Sequence, residues 1–215
     1  MAEFTGRRLP VYLVLDCSGS MSGEPIEAVR QGVKALLADL RSDPQALETA
    51  FLSVITFDSG ARQVCPLTEL MAFSEPNLDA TGSTAMGEAL KLLEQAIDKE
   101  VKKTTPTQKG DWRPLVFLMT DGQPTDNWQG PADTLKARKL GNIIACGAGG
   151  GADLAPLKRI TESVVKLDNL QPDSLKLFFR WVSDSIKLTS ASVQQVAADG
   201  PIQLPPPPPQ ITIVP

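Results

Sequence analysis

Five apolar runs of strand length punctuate the chain, at residues 11–15, 51–57, 115–119, 143–146 and 164–167, each closed by polar or glycine-rich residues. Between most of them lie helix-period segments, at residues 25–40, 86–101 and 132–140, with a shorter one at 154–161. Uninterrupted apolar runs of this length fit strands covered on both faces. A parallel pair of such strands needs a long return connection, which a helix supplies. The alternation therefore predicts an α/β fold: a doubly wound, mostly parallel sheet with helices on both faces.

Residues 61–66 follow the second run too closely for a helical return, so they are expected as a short antiparallel edge strand. Residues 173–188 carry Leu175, Leu177, Phe178, Trp181, Val182 and Ile186 at helical spacing and are expected to dock as the final helix. The expected organisation is a lead over residues 1–8, one domain over 9–190, and a proline-rich tail over 191–215. Five consecutive prolines at 205–209 favour an extended polyproline segment and are barred from a central strand.

The chain's 215 residues suffice for one full core, and its net charge of -4 opposes a general attraction to nucleic acid or anionic membrane. No run approaches the roughly 20 apolar residues of a membrane span. Cys17, Cys65 and Cys146 are widely spaced and form no C-x-x-C pair, which fits a reducing cytoplasm. The absence of histidine removes Ser-His-Asp and Cys-His catalysis together. Any chemistry rests on carboxylates, hydroxyls, lysines or a metal, and the expectation is a binding module, not an enzyme.

The first apolar run ends in Asp16-Cys17-Ser18-Gly19-Ser20, which sets three oxygen-bearing side chains at alternate positions where a strand gives way to a loop. Hard divalent cations prefer such ligands. Ligands of open α/β sheets gather beyond the carboxyl ends of the strands. Gly82-Ser83-Thr84, before the second long helix, and Thr120-Asp121-Gly122, after the third apolar run, are expected at that same edge. Asp16, Ser18, Ser20, Thr84 and Asp121 are thus candidate ligands. The bland alternative, in which these are turn and strand-end residues, needs three separate coincidences in chain order.

These three elements, and the string TDGQPTD at 120–126, resemble the von Willebrand factor A domain. That family's metal-dependent adhesion motif is D-x-S-x-S with a distant Thr and a distant Asp, and the resemblance spans about residues 9–188. Within the family the chain resembles the stand-alone bacterial proteins of the TerY type, associated with tellurite resistance. Ser83 departs from the pattern, standing where many members have a second glycine. The resemblance implies that the hydroxyls of Ser18, Ser20 and Thr84 touch the ion while Asp16 and Asp121 act largely through water. The implied ion is Mg²⁺, with Mn²⁺ and Ca²⁺ admitted by the same ligands. The implied partner is a protein presenting an Asp or Glu to the metal, in a bacterial stress system that includes a protein kinase or phosphatase.

Other signals compete. Residues 147–152 fit G-x-G-x-x-A after a strand, with Asp168 where a ribose-binding acid would lie, but the following helix is short and the motif falls late in the sheet. A Mg²⁺-dependent phosphatase would use Asp16 as nucleophile with an acid two residues on, where this chain has Ser18. Cys17 is turned from Asp16 and Ser18 by strand alternation and is expected in the core. Met21 and Trp128 flank the expected metal edge as candidate contacts for a protein partner, with packing against their own domain as the alternative.

Overall fold

A computed structural model of the chain describes residues 7–193 and 204–214. Residues 1–6 of the expected lead, and 194–203 and 215 of the expected tail, lie outside the described residues. The elements run β1 (Leu9–Asp16), a single 3-10 turn (Gly19–Met21), α1 (Glu24–Ser42), α2 (Pro44–Thr49), β2 (Ala50–Phe57), β3 (Ala61–Glu69), α3 (Met86–Glu100) and β4 (Leu115–Thr120). They continue as α4 (Gln129–Arg138), β5 (Asn142–Ala148), α5 (Ala155–Ile160), β6 (Ser163–Leu167), α6 (Pro172–Val193) and β7 (Ile211–Val214).

The strands form one sheet in the order β3-β2-β1-β4-β5-β6-β7, parallel from β2 to β6. Both edges are antiparallel, β3 on β2 and β7 on β6. Strand alternation divides the core. Leu9, Val11, Leu13 and Leu15 of β1 face one layer with α1, α2 and α6, whereas Tyr12 and Val14 face the other with α3, α4 and α5. In α1, Ile26, Val29, Val33, Leu36, Leu37 and Leu40 form the buried stripe that the helical period requires, and Pro25 sits in the first turn, where a missing N–H costs nothing. The doubly wound expectation holds.

Two features were not legible. The short helix α2 is nucleated by Asp43, whose side chain accepts from the Ala46 N–H at 2.8 Å, with Pro44 in the first turn. More consequentially, within the expected tail the described residues 191–193 and 204–214 are corrected to part of the domain. Helix α6 runs on to Val193, the Trp181 indole N–H donates to the Pro205 carbonyl at 3.0 Å, and Ile211 of β7 is buried in the core. Five consecutive prolines have no N–H to donate to a ladder, but they lead the chain into an edge strand whose Ile-Thr-Ile-Val sequence is strongly β-branched.

The end of the lead is likewise part of the domain. The Arg8 guanidinium pairs with Asp111 and donates to the Glu100 carbonyl at 2.7 Å, while Arg7 stacks over Trp112 at 3.4 Å from the ring centre. Among the described residues, no helix is long and apolar enough to cross a membrane.

Candidate metal centre

The sheet order places β2 on one side of β1 and β4 on the other, so the chain reverses its direction of winding between β1 and β4. At such a switch point the connections leave in opposite directions and open a crevice beyond the strand ends. Asp16 is the last residue of β1, and Thr120 the last of β4. The crevice therefore opens between the D-x-S-x-S loop and the Asp121 loop.

Asp16 lies at the floor, fully buried. Its Oδ1 accepts the Ser18 N–H at 2.8 Å, and its Oδ2 accepts the hydroxyl of Thr120. Above it the Ser18 and Ser20 hydroxyls lie 3.1 Å apart, and the Ser20 hydroxyl donates to Oδ1 of Asp121 at 2.8 Å. Ser20 is exposed and Asp121 half-buried, so the open side of the cluster lies there. Thr84 reaches the same place: its Oγ1 is 3.5 Å from where a Cβ on Gly122 would stand. The segment carrying it is tied to the first loop by Thr81 N–H to Cys17 C=O at 2.9 Å and Gly19 N–H to Gly82 C=O at 3.0 Å. Ser83 points its amide at the Ser59 hydroxyl, 3.1 Å away, and leaves Thr84 in the cluster.

Burial pushes both carboxyls above the ordinary aspartate range. For Asp16 the donors Ser18 and Thr120 offset part of that rise, and the nearby Asp121 adds to it; for Asp121 the Ser20 hydroxyl offsets part. Two desolvated carboxyls with three neutral hydroxyls suit a hard dication, which would relieve the cost of ionising them. The donor set fits such an ion. Among the described residues, no group of three or more His, Cys, Asp or Glu side chains is arranged for a metal, so a site here relies on hydroxyl oxygen.

Several residues of the centre were missed in the sequence. Thr120 orients Asp16, and Thr125 and Asp126 bind the Thr84 segment through four hydrogen bonds. All three lie in the TDGQPTD string, and the signal available was that this string carries four polar residues, Thr120, Gln123, Thr125 and Asp126, beyond its one ligand.

Met21 is corrected as a partner contact. It is fully buried and packs in the core with Ile26 and Val29, because the 3-10 turn rotates it inward beneath Ser20. Trp128 is half-buried, packs against the α3 and α4 layer, and has the Arg159 guanidinium 5.8 Å from its ring centre. Cys17 is in the core as expected, its thiol pushed up to about 12 by burial and then by Asp16. In the glycine-rich loop, a Cβ on Gly147 would stand 2.2 Å from the Leu154 side chain, so close packing accounts for that glycine. The helix that follows has six residues.

The family model of the von Willebrand factor type A domain matches residues 11–172, and the chain belongs to that family. Domains of this family bind a divalent metal at such a site and often mediate protein interactions. An uncharacterized protein of Synechocystis sp. is 36% identical over 151 residues, which cover 67% of this chain and 31% of that protein. The fold is similar to a von Willebrand factor type A structure from Catenulispora acidiphila, with TM-score 0.65, 21% identity, and coverage of 85% of this chain and 43% of that one. It is also similar to proximal thread matrix protein 1 from the mussel byssus, solved with a zinc-occupied MIDAS motif, with TM-score 0.59, 21% identity, and coverage of 85% and 49%. The chain thus spans less than half the length of each of these relatives.

Proposed function

We propose that this domain holds a divalent cation, Mg²⁺ in the cell, on Asp16, Ser18, Ser20, Thr84 and Asp121, and uses it to capture an Asp or Glu side chain of a partner protein. The observation that carries the reading is the position of the Ser20 hydroxyl, within hydrogen-bond distance of both the Ser18 hydroxyl and an Asp121 carboxylate 101 residues away. A bound Mg²⁺ supplies an open coordination position for an oxygen ligand. Asp16 would anchor the floor, the Ser18 and Ser20 hydroxyl oxygens would turn lone pairs to the ion in place of the hydrogen bond they make with each other, and Asp121 would close the far wall. Three neutral donors would leave the dication electropositive, so an anionic carboxylate would be held more strongly than a neutral amide.

We assign no catalysis. Both oxygens of Asp16 are engaged, by the Ser18 amide and the Thr120 hydroxyl, which holds this carboxylate back from nucleophilic attack. Ser18 stands where a phosphatase of this layout would need its acid, and the chain has no histidine. The three cysteines are unpaired, which supports a reducing cytoplasm. The resemblance to TerY-type proteins supports a role in bacterial chemical-stress defence, beside a protein kinase or phosphatase.

The test uses immobilised loop peptides that differ only in carrying Asp, Glu, Asn or Gln at one central position. Retention of the Asp or Glu peptides by wild-type protein, dependent on Mg²⁺ and reversed by EDTA, supports the reading. Retention that ignores the metal or the acid overturns it, as does phosphatase turnover by the purified protein. Mn²⁺ and Zn²⁺ titrated in parallel identify the preferred ion, zinc being the ion in the mussel structure.

A further inference from the structure

We infer that Thr125 and Asp126 are positioning residues of the metal centre, fixing the Thr84 segment against the Asp121 loop so that both ligands stand at a set separation. The inference rests on the metal-binding reading above. Thr84 and Thr125 are joined reciprocally: the Thr84 N–H donates to Thr125 Oγ1 at 3.1 Å, and the Thr125 N–H donates to the Thr84 carbonyl at 2.9 Å. Both bonds thus fall on the ligand residue itself. One position on, Asp126 places its Oδ1 on the Gly87 amide and its Oδ2 on the Glu88 amide, each at 2.9 Å.

Those two amides belong to the first turn of α3, and Ala85, at the capping position, has no side chain able to satisfy them. The cap is therefore supplied from the Asp121 loop, some 38 residues away in sequence. A carboxylate there also complements the positive end of the helix dipole. The two segments are in backbone contact at the same point: a Cβ on Gly87 would lie 2.7 Å from the Asn127 carbonyl oxygen and 2.8 Å from the Trp128 Cα. Asp121 leaves β4 on one side of this clasp and Thr84 enters α3 on the other. Movement of either changes the span between the two ligands.

Residues that orient metal ligands typically alter affinity by about 10- to 100-fold when replaced. Thr125 is exposed, so its substitution leaves the core intact. Calorimetric Mg²⁺ titration is made on wild type, Thr125→Val, Thr125→Ser and Asp126→Asn, with thermal unfolding of the metal-free proteins as the control. The expected result is affinity about tenfold or more weaker in Thr125→Val and Asp126→Asn, and restored by Thr125→Ser, which keeps the accepting oxygen. Amide exchange in metal-free Asp126→Asn should accelerate at Gly87 and Glu88. Wild-type affinity in Thr125→Val, or equal losses in the Val and Ser variants, overturns the positioning role alone. Absence of Mg²⁺ binding by wild type overturns the metal reading and the positioning role with it.

Discussion

The hydroxyl of Thr120 donates to Oδ2 of Asp16, so β1 and β4 are tied across the switch point at the most buried carboxylate of the site. Replacing Thr120 by Val keeps the shape and removes the donor, leaving one oxygen of a fully buried carboxylate unsatisfied. Such a loss costs about 1–3 kcal/mol. Urea unfolding of the metal-free protein at neutral pH should show Thr120→Val less stable by that order, and a midpoint equal to wild type would exclude the role assigned to Thr120.

The raised carboxyls of Asp16 and Asp121 give a pH dependence of definite sign. A carboxyl whose folded value exceeds its unfolded one contributes stability that is full below the ordinary range near about pH 4 and is lost as pH rises through the folded value. Asp39, Asp98 and Asp133, held below the ordinary range, contribute in the opposite direction, so total stability does not isolate the site. The increment in Tm produced by Mg²⁺ does isolate it, because a cation competes with the protons on Asp16 and Asp121. That increment should be larger at about pH 7.5 than at about pH 5. An increment that is constant or larger in acid would contradict the assignment of these carboxylates.

Strand β7 makes the C-terminal segment structural. Ile211 is 3% exposed, and its truncation to Ala removes a buried side chain from the layer that holds α6. A loss of about 2 kcal/mol or more is expected by chemical denaturation. The exposed Ile213 serves as control, since its truncation should change stability little. Equal, small effects at both positions would return this segment to the status of a tail.

Much of this architecture was readable because period and burial agree. The run Val11 to Leu15 is fully enclosed, as an uninterrupted apolar strand must be, and the stripe on α1 has the helical spacing its burial demands. The five candidate ligands could be gathered at one edge because three of their segments follow strands or precede a helix there. What escaped the reading depends on contacts between distant segments. Met21 reads as a loop residue beside Ser20, and only the 3-10 turn shows that it points into the core. Ile211–Val214 is a four-residue strand behind a proline run, and its partner is fixed by the position of β6. The cap of α3 cannot be found near α3 in sequence, because it comes from Asp126.

The central claim is tested most directly by calorimetric titration of metal-free protein with Mg²⁺, beside Asp16→Ala and Thr84→Ala, each confirmed folded by circular dichroism. Saturable binding of one ion per chain by wild type, lost in both variants, is the predicted result. Binding unchanged in the variants, or none by the wild-type protein, would contradict a metal centre built on these residues.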